Sequence, residues 1–425
     1  MIRAINVRIY PNKTQRAQIH KTIGCSRFIY NQMLSERREV YERFESDMEA
    51  LKNYVYKTEK QYKVEFPFLK EADSIALQAS REHLFEAYRN FFNGLKKGRK
   101  VGFPKFKLKK GKENYTTKQT NKNIRIDFER KKLKLPKLGW LRFNDNREFS
   151  EKIKHATVKK TKSNKYFISL TLEAQEDAKE LQEVHEKDII AFDMSAKNFL
   201  VNILFKMENP RFYRSEEKKT KKLNRELSRK KKCSKNREKA RVKLARQHDK
   251  ICNRKKDWTH KLTRKLADSF DVVILEDLNV KGMQKFNSGL SKSVSLDFSW
   301  YQFTTYLKYK MEWLGKHFIL VDRFFASSKL CSRCGWKNNN LTLREREWTC
   351  LECGTTHERD ENASVNLKNE GIRILKEEKD ITIIHDDAPT VGTTGSYAFG
   401  EDVRPKEIFQ DLFGQFSQKK ESTAL

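Results

Sequence analysis

The chain contains no run of eighteen apolar residues, and its opening, MIRAINVRIYPNK, lacks the hydrophobic stretch of a secretory signal. A membrane-spanning helix and signal-directed export are therefore not expected, and the reading is of a soluble, cytoplasmic protein. Acidic residues are also in short supply. Only 57 Asp and Glu stand against 90 Lys and Arg in 425 residues, a formal net charge of +33. A surplus of that size asks for a polyanionic partner, because each phosphate met by Lys or Arg releases condensed counterions. With no apolar anchor, nucleic acid fits better than an acidic membrane. No internal repeat is visible. Apolar residues are modest at 37%, yet the length leaves room for two or three domains with buried cores.

Cysteine is scarce and odd in number. Seven are present, and in a chain that is not exported thiols stay reduced, which excludes a disulfide framework. Cys25, Cys233 and Cys252 are scattered and read as small filler residues. Cys331, Cys334, Cys350 and Cys353 form two Cys-x-x-Cys pairs with fifteen residues between them. That spacing matches a closed, tetrahedral four-thiolate zinc ribbon, with no open position for substrate, so the zinc is expected to be structural. His357, four residues on, is an unneeded fifth candidate. Asp360 follows the last cysteine by seven residues.

Along the chain, Ile5, Val7 and Ile9 alternate with polar residues as in a half-buried strand, and Pro11 ends it. Residues 14 to about 62 carry a helical pattern with a break expected near Gly24, and a second helical stretch follows from Asp73. Lys96 to Lys112 holds nine basic residues and no acid, with Phe103 and Phe106 between them. Cations for phosphates interleaved with rings for bases suit a strand-tracking surface; the competing reading is a solvated loop. Alternating segments at NIRIDF, KLKLP, GWLRF and KYFISLTLE predict antiparallel strands, which the first strand could join to make a small barrel with the helices inserted. Residues 216–266 carry a net charge of +16. Apolar Leu244, Ile251, Trp258, Leu262 and Leu266 predict one long helical region with a buried stripe and a phosphate-facing surface. The polar, turn-rich stretch beyond Glu377 reads as a mobile tail.

Three acids stand at the ends of apolar stretches. Asp193 ends residues 189–192, Glu276 ends 272–275, and Asp360 opens a last helix expected from about Asn362. In a mixed sheet with helical crossovers, strand ends meet at one edge. Carboxylates gathered there bind hard divalent cations, and a pair of magnesium ions can activate water and hold the leaving oxygen of a phosphodiester. The alternative is structural: acids commonly end strands, and Asp360 could cap the helix. Asp277 is expected to point away from Glu276, since neighbours in a strand face opposite ways. Asp322 reads as structural.

The segments IIAFDMSAKNFLV, NPRFYR, KKLNRELSRKKK, VVILEDLNVKGM, DRFFASSKLCSRCG, REWTCLECGTTHERDENAS and YPNKTQRAQIHKTIGCSRFIYN resemble the TnpB (OrfB) family of bacterial insertion sequences, over residues 1 to about 375. The resemblance implies an RNA-guided DNA endonuclease related to type V CRISPR effectors. It implies an α/β fold plus a small β-barrel. The wedge-like barrel would span 1–13 and 110–180, a helical recognition domain 14–109, and a RuvC-type, RNase H-like nuclease domain 187–376. That last domain would contain the basic helical segment 216–266 and the zinc ribbon at 328–357, with a flexible tail over 377–425. The family's catalytic trio falls on Asp193, Glu276 and Asp360, holding two Mg2+, and its zinc ligands on the four paired cysteines, holding one Zn2+. The implied partners are a guide RNA from the transposon end and double-stranded target DNA. Residues expected to touch nucleic acid are Lys96, Lys97, Arg99, Lys100, Phe103, Lys105, Phe106 and Lys107, with Arg229, Lys230, Lys231, Lys232, Arg254 and Lys255. Two positions depart from many members: Ser195 stands where Gly is common, and Ser364 where Ala is common. The alternatives are a nuclease-inactive guided repressor, an unguided structure-selective nuclease and a transposase. The repressor is disfavoured because all three acids are present.

Overall fold

The computed structural model describes residues 2–173, 179–195, 197–285, 289–342 and 344–385. The chain divides into two compact units, Met1–Glu176 and Asp177–Leu425.

In the first unit, β1 (Ile2–Tyr10) leads into α1 (Lys13–Arg43). Asn12 caps α1, its side chain accepting from the Gln15 amide while the Gln15 side chain accepts from the Asn12 amide. This capping box satisfies amides that a helix start leaves open. The break expected near Gly24 is absent; α1 runs straight through it, because one glycine weakens a helix but its many neighbours in register carry it. Short α2 (Met48–Asn53) and α3 (Glu59–Glu65) precede α4 (Ser74–Lys96), and six strands follow: β2 (Glu113–Lys118), β3 (Arg125–Asp127), β4 (Lys132–Leu135), β5 (Gly139–Asn144), β6 (Lys152–Lys160) and β7 (Tyr166–Glu173). They form one antiparallel sheet with β1, in the order β2-β6-β7-β1-β5-β4-β3. β1 pairs with both β7 and β5, so the helices lie in an insertion between strands of one sheet. Among the described residues the sheet is a curled half-barrel that does not close: β2 and β3 end the order and do not pair with each other. Its alternating inward residues, including Ile5, Val7, Ile9, Leu141 and Ile168, bury one shared core.

The second unit starts with β8 (Glu183–His185), β9 (Ile189–Phe192) and the hairpin β10 (Asn198–Asn202)–β11 (Phe205–Glu208). Two helices, α5 (Phe212–Ser228) and α6 (Lys235–Ser269), then lead to β12 (Val272–Glu276). The basic region is thus a helical hairpin, not one helix. It turns at 229–234, where Cys233 takes a left-handed φ of 65° and Ser234 caps α6. Short α7 (Val280–Met283) and α8 (Gly289–Leu296) precede α9 (Trp300–Trp313), β13 (His317–Val321), a small ribbon hairpin β14 (Glu347–Thr349)–β15 (Thr356–Glu358), α10 (Arg359–Lys379) and β16 (Thr382–Ile384). The stretch expected to be tail from 377 therefore begins as helix, and β16 pairs in parallel with β8; residues 386–425 lie outside the described residues.

β9, β12 and β13 form a parallel sheet in the order β13-β12-β9. The backbone of Asp193 exchanges two hydrogen bonds with Val201, 2.9 and 2.8 Å, docking the β10–β11 hairpin beside β9. Helices cover both faces. Phe192, Val273 and Leu275 pack with Leu262 and Leu266 of α6 and Phe303 and Leu307 of α9. Ala191, Ile274, Ile319 and Val321 pack with Leu367 and Leu375 of α10. The α10 packing is close: a Cβ on Gly371 would lie 2.3 Å from Ile274 Cδ1 and 2.7 Å from its Cγ1. Gly371→Ala is expected to destabilise the fold by about 1–3 kcal/mol through overpacking, read as a lower urea midpoint with unchanged slope. No helix among the described residues is long and apolar enough to cross a membrane.

Candidate active site and metal centre

Parallel register decides where the first two acids meet. Leu275 pairs with Phe192, so the next residues, Glu276 and Asp193, stand side by side at the carboxyl ends of adjacent strands. Alternation decides which way they face. Ala191 and Ile274 face α10, and Asp193 and Glu276, two positions on, share that parity. Asp277 has the opposite parity, and its carboxylate is held by the Arg323 guanidinium. Asp322 accepts from the Phe324 amide at 2.8 Å and only shapes the turn after β13.

Asp360 comes from the start of α10. That helix begins earlier than the expected Asn362 region: Glu358 is its cap, accepting from the Glu361 amide. Asp360 is therefore not needed as a cap and sits buried in the first turn, 8% exposed. The helix start is held from two sides. Lys206 of β11 reaches Glu361 at 2.8 Å and Glu358 at 3.7 Å. Asn362 donates to the Leu330 carbonyl at 2.6 Å and accepts from the Ser332 amide at 3.0 Å, and Asn366, one turn on, donates to the Ser327 and Leu330 carbonyls. Residues 327–332 lead into the first cysteine pair, so the cysteine ribbon and the helix bearing Asp360 are fastened together.

The electrostatics reflect this crowding. The Asp193 carboxyl is pushed up to about 7, first by burial, then by the negative charge of Asp360 and of Glu276, against partial relief from the Met194 amide and Arg359. Burial, and then Asp277, raise Glu276. Ionising a buried acid flanked by two others costs free energy that a divalent cation would offset, and oxygen-only donors suit a hard one. The three carboxylates do not close to 4.8 Å of one another as the cysteine ligands do. Arg346, from the ribbon, lies against Asp360, Nη1 donating at 3.2 and 3.3 Å to its two oxygens. Nothing in the sequence singles out Arg346, Arg359 or Lys206 among ninety basic residues; their roles follow only from where β11 and β14 fold.

Ser195 uses its hydroxyl: it accepts from the Asn198 amide at 3.1 Å. Ser364 is buried and donates to the Glu361 carbonyl at 2.7 Å.

The four cysteine sulfurs lie within 4.8 Å of one another. Cys331 and Cys353 are 3.6 Å apart, as are Cys334 and Cys350. Tetrahedral zinc with Zn–S of about 2.3 Å requires sulfurs roughly 3.8 Å apart, so the cluster is compatible with a structural zinc ion. Both knuckles turn alike: Gly335 and Gly354 adopt φ of 76° and 67° and return their amides to the Cys331 and Cys350 carbonyls. His357 Nε2 lies 3.1 Å from Cys331 Sγ, beside the four-sulfur set.

The basic residues fall into two groups. Lys96, Lys97, Arg99, Lys100 and Lys105 are exposed, as are Arg229, Lys230, Lys231 and Lys232 at the tip of the α5–α6 hairpin. Phe103, Phe106, Lys107 and Arg254 are exposed too but also make contacts within the fold, and Lys255 is half-buried. Phe103 packs edge-on against Tyr88 and Phe91, and Arg38 lies over Phe103 and Phe106. Lys107, exposed along its stem, sits with its ammonium over the Tyr30 ring at 3.9 Å, where partial desolvation lowers its pKa. Arg254 reaches Glu216 at 3.4 Å, and Lys255 donates to the Leu296 carbonyl at 3.1 Å.

Family models match three stretches: one described as "Probable transposase" over residues 168–287, a "Helix-turn-helix domain" over 1–46, and a "Cas12f1-like, TNB domain" over 300–367. Residues 1–46 here contain β1 and the single long α1. A Streptomyces pristinaespiralis protein named "Putative RNA-guided DNA endonuclease" is 31% identical over 87% of this chain and 89% of its own length. An Escherichia coli K12 protein of the same designation, InsQ, is 28% identical over 88% of this chain and 93% of its own. Among solved structures, the protein in a Cas12f1–sgRNA–target DNA complex superposes with a TM-score of 0.51 at 14% identity, over 87% of this chain and 99% of that one. That likeness is one of fold.

Proposed function

The chain belongs to the TnpB (OrfB) family, and on that premise we propose that it is an RNA-guided DNA endonuclease that cuts by metal-assisted phosphodiester hydrolysis at Asp193, Glu276 and Asp360. The observation that carries the reading is the convergence on Asp193: a buried carboxyl with Glu276 and Asp360 close enough to raise it, each from a different element. Asp193 is the central ligand in this reading, with Glu276 and Asp360 completing the oxygen set for two Mg2+. Bound magnesium would supply a water of lowered pKa and charge on the scissile phosphate. The chain's own part is to fix the three carboxylates by strand register and the α10 anchor, and to bring Arg346 beside Asp360. Cys331, Cys334, Cys350 and Cys353 would hold one structural Zn2+.

In the same reading, β9 to β13 with α10 make the RuvC-type, RNase H-like nuclease domain, and the open sheet of the first unit is the wedge. The guide is an RNA from the transposon end, the target is double-stranded DNA, and the protein works in the cytoplasm at the nucleoid. Purifying the protein from cells that carry its native locus and sequencing bound RNA tests guidance: RNA running from the element's end into flanking sequence supports it, and no enriched RNA counts against it.

The exposed and engaged lysines separate in their salt response. Replacing residues 229–232 together by Ala is expected to weaken RNA or DNA binding and flatten its dependence on log salt, by about one for each phosphate that is no longer neutralised. Lys255→Ala should lower stability and leave the salt slope alone. Equal slopes for both variants would remove the hairpin tip from the nucleic-acid surface.

A further inference from the structure

Beside Glu276, on the α9 side of the sheet, lies a cavity of about 380 Å³, within the range of roughly 300–1,000 Å³ typical of small-ligand sites. We propose that this cavity holds an unpaired nucleobase of the DNA strand being cut, with Tyr301 as its stacking platform. The inference rests on the nuclease reading above and adds to it a residue that positions the substrate.

Three features point to a base. The walls are apolar, from Leu278 after β12 and Phe318 and Leu320 on β13. Leu320 is 43% exposed, an apolar surface that a flat ring would cover. Tyr301, in the first turn of α9, also lines the cavity and is 74% exposed. Among the described residues its ring stacks on no other. Single exposed apolar residues are ordinary, but a ring and a bare leucine in one cavity are a surface with something to cover. Lys281 supplies positive charge at the lining, joined by Lys308, which lies 3.8 Å from Glu312, while Asp277 is already held by Arg323. An apolar slot with a ring and flanking cations is the chemistry of single-strand binding, where the base stacks and the phosphates meet lysines. A neutral apolar ligand would have no use for the lysines.

The position is also informative. Glu276 and Met194, the neighbour of Asp193, line the cavity at the carboxyl edge of the sheet. The carboxylates face α10 and the slot faces α9, so a strand crossing this edge with its phosphate at the carboxylates can place an adjacent base in the slot. Holding that base fixes the register of the phosphate, and stacking on an exposed ring is how single-strand sites hold a base without reading its identity.

The test uses the full-length protein with its guide and a matched target. The cut is mapped first, and failure of the wild type to cut would strike the nuclease reading itself. Single-turnover rates are then compared for wild type, Tyr301→Ala and Tyr301→Phe, on normal DNA and on DNA with an abasic residue at each position flanking the cut. Expected is a loss of about tenfold for Tyr301→Ala with target binding intact, and near wild-type rates for Tyr301→Phe. One abasic position should slow the wild type similarly and Tyr301→Ala no further. Independently of cleavage, 2-aminopurine scanned along both strands in an Asp193→Asn complex should show one quenched position near the cut, brightening when Tyr301→Ala is added. An unchanged Tyr301→Ala rate, additive losses with the abasic DNA, or no Tyr301-dependent quenching would overturn the proposal.

Discussion

Asp193→Asn is expected to abolish DNA cleavage and, in magnesium-free buffer, to make the protein more stable. The carboxyl of Asp193 is pushed from its ordinary 3.8 up to about 7, so the folded chain holds this proton more tightly than the unfolded chain. The sign follows: stability rises as pH falls from above 7 toward 4, and above 7 the buried charge costs roughly 4 kcal/mol. Asparagine keeps the shape and an oxygen for the Met194 amide but carries no charge. The variant should therefore melt several degrees above wild type at pH 8 and close to it at pH 5. Adding magnesium should raise the wild type and not the variant, since only the wild type gains a stabilising ligand. A variant that melts below wild type at pH 8 would mean that Asp193 is a structural acid.

The second large effect concerns the ribbon. Cys331→Ser or Cys350→Ser is expected to remove the zinc and, with it, cleavage. Both cysteines are buried, and zinc binding in small sites contributes about 10–16 kcal/mol to local folding. The damage reaches the active site because Leu330 and Ser332 are bonded to Asn362, and Arg346 to Asp360. A catalytic group displaced by about 1 Å can cost roughly a hundredfold. Guide RNA binding should survive, since the basic hairpin tip lies outside the ribbon. Zinc content by mass spectrometry and single-turnover cleavage read the two effects together. Cys252→Ser, at an exposed lone thiol, is the control that should keep both. Full cleavage by a zinc-free Cys331→Ser protein would show that the ribbon does not position Asp360.

The legible parts of this chain are those with short-range patterns. The alternation of Ile5, Val7 and Ile9 marks β1, and unbroken apolar runs before Asp193 and Glu276 mark β9 and β12. The paired cysteines mark the ribbon by spacing alone. The departures have equally physical causes. A run of lysines hides the turn at 229–234, because charge carries no periodicity; Ser234 is the cap signal that marks it. Gly24 looks like a break, yet α1 passes it. The helix bearing Asp360 starts before the expected position because its cap is Glu358, a weaker signal than Ser or Asp. The sheet's open edge and β16 depend on partners distant in sequence, which no local pattern reports. Likewise Lys255 looks identical to its exposed neighbours until the Leu296 carbonyl is found beneath it.

The central claim is that one site, built from residues 193, 276 and 360, cuts DNA chosen by a guide. It is tested most directly by loading the purified protein with its guide and offering a duplex library that carries the matching sequence beside randomised flanks. The wild type should cut only with that guide and with magnesium, while Asp193→Asn, Glu276→Gln and Asp360→Asn should each bind the selected target and leave it whole. Cutting at a near wild-type rate by any one of the three variants would contradict the account.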